Sequence, residues 1–215
     1  MFELFDRRQE YSVRYGRLPH WHQTGVTYFV TFRTHDSVPT PLLASWHAER
    51  DLWLRKHDID PTAGNWRTQL ANLPDAEREY HRTFTREFMA YLDRGYGACA
   101  LRNANIASLV AAAMKHFDGE RYWLGDFVVM PNHVHAIVCL LTDSSVEQTC
   151  YSWKKFSAGE INRACNRQGR FWQAESFDHM VRTPEQFDYF RRYIAENPKK
   201  AKLKPGDYLH WIRPM

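Results

Sequence analysis

Two histidines separated by a single residue stand in the middle of the segment VVMPNHVHAIV. His133 and His135 flank Val134. If this segment is a β-strand, its side chains alternate between two faces, so both imidazoles face the same side. Two imidazole nitrogens on one face can bind a divalent ion, but a complete site needs a further ligand from elsewhere. The same pattern also fits two polar residues on the exposed face of a strand, and the spacing alone leaves both interpretations open.

A second set of residues recurs at intervals of four near the C-terminal end. Tyr189, Tyr193 and Asn197 would share one face of a helix. A phenol oxygen can act as a covalent nucleophile when its deprotonation is favoured. A carboxamide oxygen one turn away can bind a hard ion such as Mg²⁺ or Mn²⁺. The alternative is a helix that packs both tyrosines into the core and ends near Asn197, because Pro198 follows.

The elements that must position these residues alternate between strands and helices. Periodicity and turn residues predict strands over 27–34, 121–130, 133–141 and within 171–182. They predict helices over 42–57, 76–94, 104–117 and 146–167, and a last helix from Pro184 to the residue before Pro198. Residues 11–23 are expected to be irregular, and residues 58–74 are expected to form a loop.

This order predicts an α+β fold in which two split β-α-β units form a ferredoxin-like antiparallel sheet with flanking helices. The 215 residues are expected to form one domain. A helical insertion at about 40–118 would fill the first crossover, and the last helix, outside the core pattern, would carry the tyrosines. A tail, basic at its start, would occupy about 199–215.

Composition restricts the partners and the compartment. The chain carries a net charge of +4, and residues 150–204 hold twelve Lys/Arg against six Asp/Glu. This basic C-terminal third fits a polyanion partner, although a solvated helical surface explains the charge equally simply. No secretory start and no membrane-spanning apolar run is visible. The four cysteines form no CxxC pair, so we expect reduced thiols and a cytoplasmic protein.

Longer motifs carry a resemblance to a known family. VVMPNHVHAIV, SWKKFSAGEINR and FWQAESFDHMVRTPEQFDYFRRYIAENPKKAKL follow one another in this order. Together they resemble the REP-associated tyrosine transposases, which are single-tyrosine, His-hydrophobic-His relatives of the transposases of the smallest insertion sequences. LPHW and TYFVTFR also resemble the opening of this family. The resemblance covers residues 15–35 and 120–204 and is thin over 40–118.

The resemblance assigns roles to individual residues. It implies that His133 and His135 are metal ligands, that Tyr193 in YIAENP is the catalytic tyrosine, and that the side-chain oxygen of Asn197 joins the histidines on Mg²⁺ or Mn²⁺. Glu196 is a second oxygen ligand to consider, but it points in another direction on the helix. Tyr189 is the rival nucleophile, one turn before Tyr193.

The resemblance also implies an activity. The protein would be a metal-dependent single-stranded DNA endonuclease and strand transferase that acts on hairpin, REP-like DNA through a 5′-phosphotyrosine and serves DNA transposition. Single-stranded or hairpin DNA would be its partner, and a monomer is preferred over a homodimer. The candidate DNA contacts are the cationic and aromatic residues Arg17, His20, Trp21, Lys154, Lys155, Lys199, Lys200 and Lys202.

Two other functions remain open. The chain could be a domesticated protein that binds hairpin DNA without cutting it, although all the matched catalytic residues are present. It could also be a metallohydrolase that uses the two histidines. The sequence disfavours a metallohydrolase because no further cluster of His or Asp lies near the pair.

Overall fold

A computed structural model describes residues 2–6, 12–15, 19–23, 25–63, 65–141 and 144–214, with only the backbone for 12–15, 19–22, 67, 68 and 71. The strands are β1 (Ser12–Tyr15), β2 (Pro19–His22), β3 (Thr27–Arg33), β4 (Tyr122–Val129), β5 (His133–Leu140), β6 (Phe177–Met180) and β7 (Leu209–Trp211). The helices are α1 (Thr40–Lys56), α2 (Trp66–Ala71), α3 (Pro74–Tyr80), α4 (Arg86–Asp93), α5 (Ala104–Lys115), α6 (Val146–Ala164) and α7 (Pro184–Lys200). Within these ranges, no helix is both long enough and apolar enough to span a membrane.

The main sheet has five strands in the order β6-β3-β5-β4-β7, and every neighbouring pair is antiparallel. Within this sheet, β3, β4, β5 and β6 have the strand order of two split β-α-β units. The predicted α+β, ferredoxin-like fold is therefore confirmed. β7 was not predicted as a strand. β1 and β2 pair as a separate ribbon, so the expectation of an irregular segment over 11–23 is wrong for these two stretches.

The two faces of the sheet bury different residues. On β5, Val134, Ala136 and Val138 belong to a large apolar core that includes residues of α5 and α6. Ile137 faces the other way and packs with Ile194 of α7. Because side chains alternate along a strand, His133 and His135 share the face of Ile137. The sheet therefore directs both imidazoles towards the tyrosine-bearing helix.

The first helices after β3 form a second packing unit. A separate apolar cluster joins α1, α2 and α3, through Leu54, Ile59, Trp66, Leu70, Ala76 and Tyr80. The predicted helix over 76–94 is divided by a π-type turn at His81–Thr85, which connects α3 to α4. The short helix α2 lies within the stretch that we expected to be a loop.

The last helix is longer than the sequence predicts. The Thr183 hydroxyl caps its N-terminus by accepting a hydrogen bond from the backbone N–H of Gln186. Pro184 occupies the favoured first position. The helix then continues through Pro198 to Lys200, so the expected end before Pro198 is wrong. A proline in the last turn removes one backbone hydrogen bond. The buried positions of Asn197 and Pro198 show that packing offsets this loss.

Candidate functional site

The two histidines of β5 lie together in the interior. Both are fully buried, so the interpretation as polar residues on an exposed strand face is wrong. Their Nε2 atoms are 2.9 Å apart. Burial, followed by the influence of His133, lowers the pKa of His135 well below its ordinary value. The His135 ring therefore stays neutral at physiological pH and keeps a lone pair for a ligand bond.

Neighbouring side chains fix the orientation of both rings. His133 Nδ1 lies 2.7 Å from Asn132 Oδ1, and the Asn132 amide nitrogen donates to the Tyr96 carbonyl at 2.9 Å. The amide therefore presents its oxygen to His133 Nδ1–H, which leaves the lone pair on His133 Nε2. His135 Nδ1 lies 2.7 Å from the Thr31 hydroxyl. Such partners on the far nitrogen are typical of metal-binding histidines.

A carboxylate completes this cluster. Asp93, the last residue of α4, places Oδ1 3.5 Å from His133 Nε2. One ligand atom from each of Asp93, His133 and His135 lies within 4.8 Å of the others, close enough to bind a metal ion. Sequence reasoning missed Asp93. A lone carboxylate at a helix end resembles many solvated ones, and only the fold brings it to the histidines.

Asn197 reaches the same cluster from α7. Its side-chain nitrogen donates to Asp93 Oδ1 at 3.2 Å. Its side-chain oxygen is buried and has no hydrogen-bond partner among the described residues. Glu196 instead pairs with Lys200 at 3.0 Å and is more than half exposed, so it points away from the histidines. A buried amide oxygen without a donor is well suited to accept a cation.

Tyr193 lies against this cluster, one turn before Asn197. Its ring centroid is 5.1 Å from that of His135, and its hydroxyl is buried without hydrogen-bond geometry to any described residue. Burial, then the negative charge of Asp93, raises the pKa of the Tyr193 phenol, although the Asn197 side chain opposes the shift. Tyr189 is 54% exposed, so the alternative that packs both tyrosines into the core is wrong.

The donor set fits a divalent cation. Two imidazole nitrogens and one carboxylate oxygen converge from β5 and α4. Asn197 of α7 contacts that carboxylate through its side-chain nitrogen, and its buried side-chain oxygen has no partner among the described residues. Nitrogen and oxygen donors of this kind bind Mn²⁺, Mg²⁺ and related ions. A cation would also partner the Asn197 oxygen and offset the charge that disfavours the Tyr193 phenolate.

The candidate DNA contacts fall in several places. Lys154 is buried, and its ammonium donates to the carbonyls of Gln173 and Ala174 at 3.3 and 2.6 Å. The structure therefore does not bring Lys154 to the surface with the other cations. Exposed lysines are found at Lys155, Lys199, Lys200 and Lys202. Arg17 and the side chains of His20 and Trp21 lie outside the described residues.

Comparisons with known proteins give one structural likeness. No protein-family model matches the chain, and no curated protein matches it. The chain is similar to a solved structure described as a REP-associated tyrosine transposase bound to a REP hairpin. The two share 15% sequence identity over 96% of this chain and 94% of that chain, with a TM-score of 0.43. A likeness of this size supports no inference about function, which has to be inferred from the residues of the chain.

Proposed function

We propose that the protein is a single-tyrosine transposase of the REP-associated type. It would cut and rejoin single-stranded DNA beside a hairpin, with a divalent cation and a 5′-phosphotyrosine intermediate. The observation that supports this most directly is the burial of the Tyr193 hydroxyl beside the cluster of Asp93, His133 and His135. A phenol packed only for stability has no need of two oriented imidazoles and a carboxylate.

The positions of the two tyrosines favour Tyr193 as the nucleophile. Its ring contacts that of His135, whereas Tyr189 lies one turn further along α7, with its ring centroid 6.3 Å from that of Tyr193. In the reaction, the Tyr193 oxygen forms a bond to phosphorus while the bond from phosphorus to the 3′ oxygen breaks. The 3′ oxygen leaves with the electron pair, and the phenolic proton is lost to solvent. Rejoining reverses these bond changes with another 3′ hydroxyl.

His133, His135, Asp93 and the oxygen of Asn197 would hold the cation. When bound, the cation would neutralise charge on the attacked phosphate and lower the pKa of a nearby phenol. The residues of the chain provide the rest: α7 would hold Tyr193 beside the phosphate, Asn132 accepts from His133 Nδ1–H, and the Thr31 hydroxyl orients the His135 ring.

The mixed donor set supports Mg²⁺ or Mn²⁺ as the proposed ion. Imidazole nitrogens suit Mn²⁺ and related ions, and carboxylate and amide oxygens suit hard ions of this kind.

Other parts of the proposal concern assembly and DNA contacts. The proposal includes action as a monomer. The exposed lysines at the end of α7 and after it, Lys199, Lys200 and Lys202, suit contacts with the DNA backbone. Lys155 on α6 is a further candidate.

The test is formation of a covalent protein–DNA adduct. The protein is incubated with hairpin single strands and Mg²⁺ or Mn²⁺, and the products are separated on a denaturing gel. We expect an adduct with hairpin single strands and little with perfect duplex. Tyr193→Phe should abolish the adduct, while its free energy of unfolding changes by less than ~1 kcal/mol because the lost hydroxyl has no hydrogen-bond geometry to a described residue.

Tyr189→Phe is the matched control and should still form the adduct. An adduct with Tyr193→Phe but not with Tyr189→Phe would transfer the role to Tyr189. Hairpin binding without any adduct would favour the domesticated binding protein. Cleavage without a covalent intermediate would favour a metallohydrolase, an alternative that Asp93 strengthens because it supplies the carboxylate that the sequence did not reveal beside the histidines.

A further inference from the structure

A cleft runs between α7 and the segment that contains the π-type turn and α4. It has a volume of about 670 Å³, within the range of ~300–1,000 Å³ that is typical of ligand sites. Tyr193 and Asp93 line it, so it is continuous with the proposed catalytic site. Its other wall comes from the helical region between β3 and β4, in which the proposed reaction gives a role to Asp93 alone.

Cations line this wall of the cleft. The lining residues Arg82, Arg86 and Asp93 follow one another along a single helical face. Both arginines are exposed, and neither forms an ion pair within the described part of the chain. Lys200 adds a third cation from α7, although it also pairs with Glu196. Among the described lining residues Asp93 is the one carboxylate. The cleft is therefore positively charged away from the proposed metal site.

The opposite wall is aromatic. Phe177, Tyr189 and Phe190 line it. Phe190 already stacks on Phe29, with ring centroids 4.3 Å apart. Tyr189 is 54% exposed. Unpaired bases stack on exposed aromatic rings of this kind when cationic side chains lie nearby to bind the phosphates.

We propose that this cleft binds the unpaired nucleotides that flank the cleaved phosphate. Arg82 and Arg86 bind phosphates of one strand, and Tyr189 stacks on a base between the two walls. The two arginines are four residues apart, which corresponds to ~6 Å along a helix and suits successive phosphates. The helical insertion is thereby a substrate-binding wall. The inference rests on the proposed function for the position of the reacting phosphate, but strand binding itself needs no cleavage.

The first experiment measures the binding of a short, fluorescein-labelled oligo(dT) by anisotropy, with the full-length Tyr193→Phe protein so that no adduct can form. Arg82→Ala and Arg86→Ala should each weaken binding about fivefold and reduce the slope of log Kd against log salt by ~0.7. Tyr189→Ala should weaken it at least about fivefold, and Tyr189→Phe should restore it. Arg78→Ala is the control, since Arg78 lies on the adjoining helix α3, pairs with Asp75 and does not line the cleft.

If the Arg82 and Arg86 variants bind like the Arg78 variant, the proposal is wrong. The second experiment locates the strand directly by irradiating the complex with oligo(dT) that contains 4-thiothymidine. Crosslinks on peptides that contain Phe177, Tyr189 or Phe190 support the cleft, and crosslinks confined to other surfaces overturn it. The wild-type protein could bind oligo(dT) through the two arginines and yet form no adduct with hairpin DNA. That result would support strand binding in the cleft and refute the proposed function, so the two proposals can fail separately.

Discussion

Replacing Thr31 by valine tests whether the histidine pair is built to bind metal. The Thr31 hydroxyl lies 2.7 Å from His135 Nδ1, and Thr31 is buried in β3. Valine keeps the shape of the side chain but leaves that ring nitrogen without its partner. Loss of such an orienting partner typically weakens metal affinity by about 10- to 100-fold. A factor of this size corresponds to ~1.4–2.7 kcal/mol.

The assay is the rise in Tm on addition of Mn²⁺. At a concentration one hundred times the Kd, a ligand stabilises the folded state by ~2.7 kcal/mol. For a chain of this length that corresponds to a rise of about 5–11 °C. In Thr31→Val the same concentration should contribute only ~0.4–1.4 kcal/mol, a rise of about 1–6 °C. Calorimetric titration gives the Kd independently.

Thr27→Val is the matched control on the same strand. The Thr27 hydroxyl is also buried and donates to the Glu3 carbonyl at 2.6 Å, but it does not contact a histidine. Both variants should lose ~1–3 kcal/mol of unfolding free energy without metal. Only Thr31→Val should lose metal affinity. If the two variants bind Mn²⁺ equally well, the histidines are not oriented for a metal by this hydrogen bond.

Two further outcomes concern packing and pH. A methyl group added at Gly125 on β4 would lie 2.9 Å from Ile137 Cγ2, so Gly125→Ala should lower the free energy of unfolding in urea by ~1–3 kcal/mol. The methyl group of Gly159→Ala in α6 would meet no atom of the described residues within 4 Å. This substitution should therefore raise the free energy of unfolding by ~0.5–1 kcal/mol. Equal effects of the two substitutions would contradict this account. Burial lowers the pKa of His179 to about 4, so the unfolded state binds more protons below about pH 6.5. His179 should therefore lower the free energy of unfolding by ~2 kcal/mol at about pH 4.5 relative to pH 7. In His179→Gln this contribution to the acid destabilisation should disappear.

The sequence predicted the parts of the site that depend on local periodicity. Alternation along a strand placed His133 and His135 on one face, and a spacing of four placed Tyr193 and Asn197 on one face of a helix. Both patterns survive in the structure because β5 and α7 are regular elements. Their approach to one another, however, is set by the packing of α7 on the sheet, which the resemblance implied but no spacing in the sequence shows.

The parts that the sequence did not predict depend on contacts between distant segments. Asp93 has no periodic neighbour that marks it, and its proximity to His133 arises from the position of α4 beside the sheet. Lys154 has the sequence context of a solvated helix face, yet carbonyls contributed by the segment after α6 bury its ammonium. The end of α7 followed packing around Pro198 rather than the local preference of proline.

The candidate ligands come from two parts of the fold: Asp93 ends α4 in the insertion, whereas His133 and His135 belong to β5 of the sheet. A cation held by both would couple the docking of the insertion to ion occupancy, and this coupling is reciprocal. Chelation should therefore increase amide hydrogen exchange in α4 more than in β5. Substitutions that loosen the insertion, even far from the ligands, should in turn weaken ion affinity.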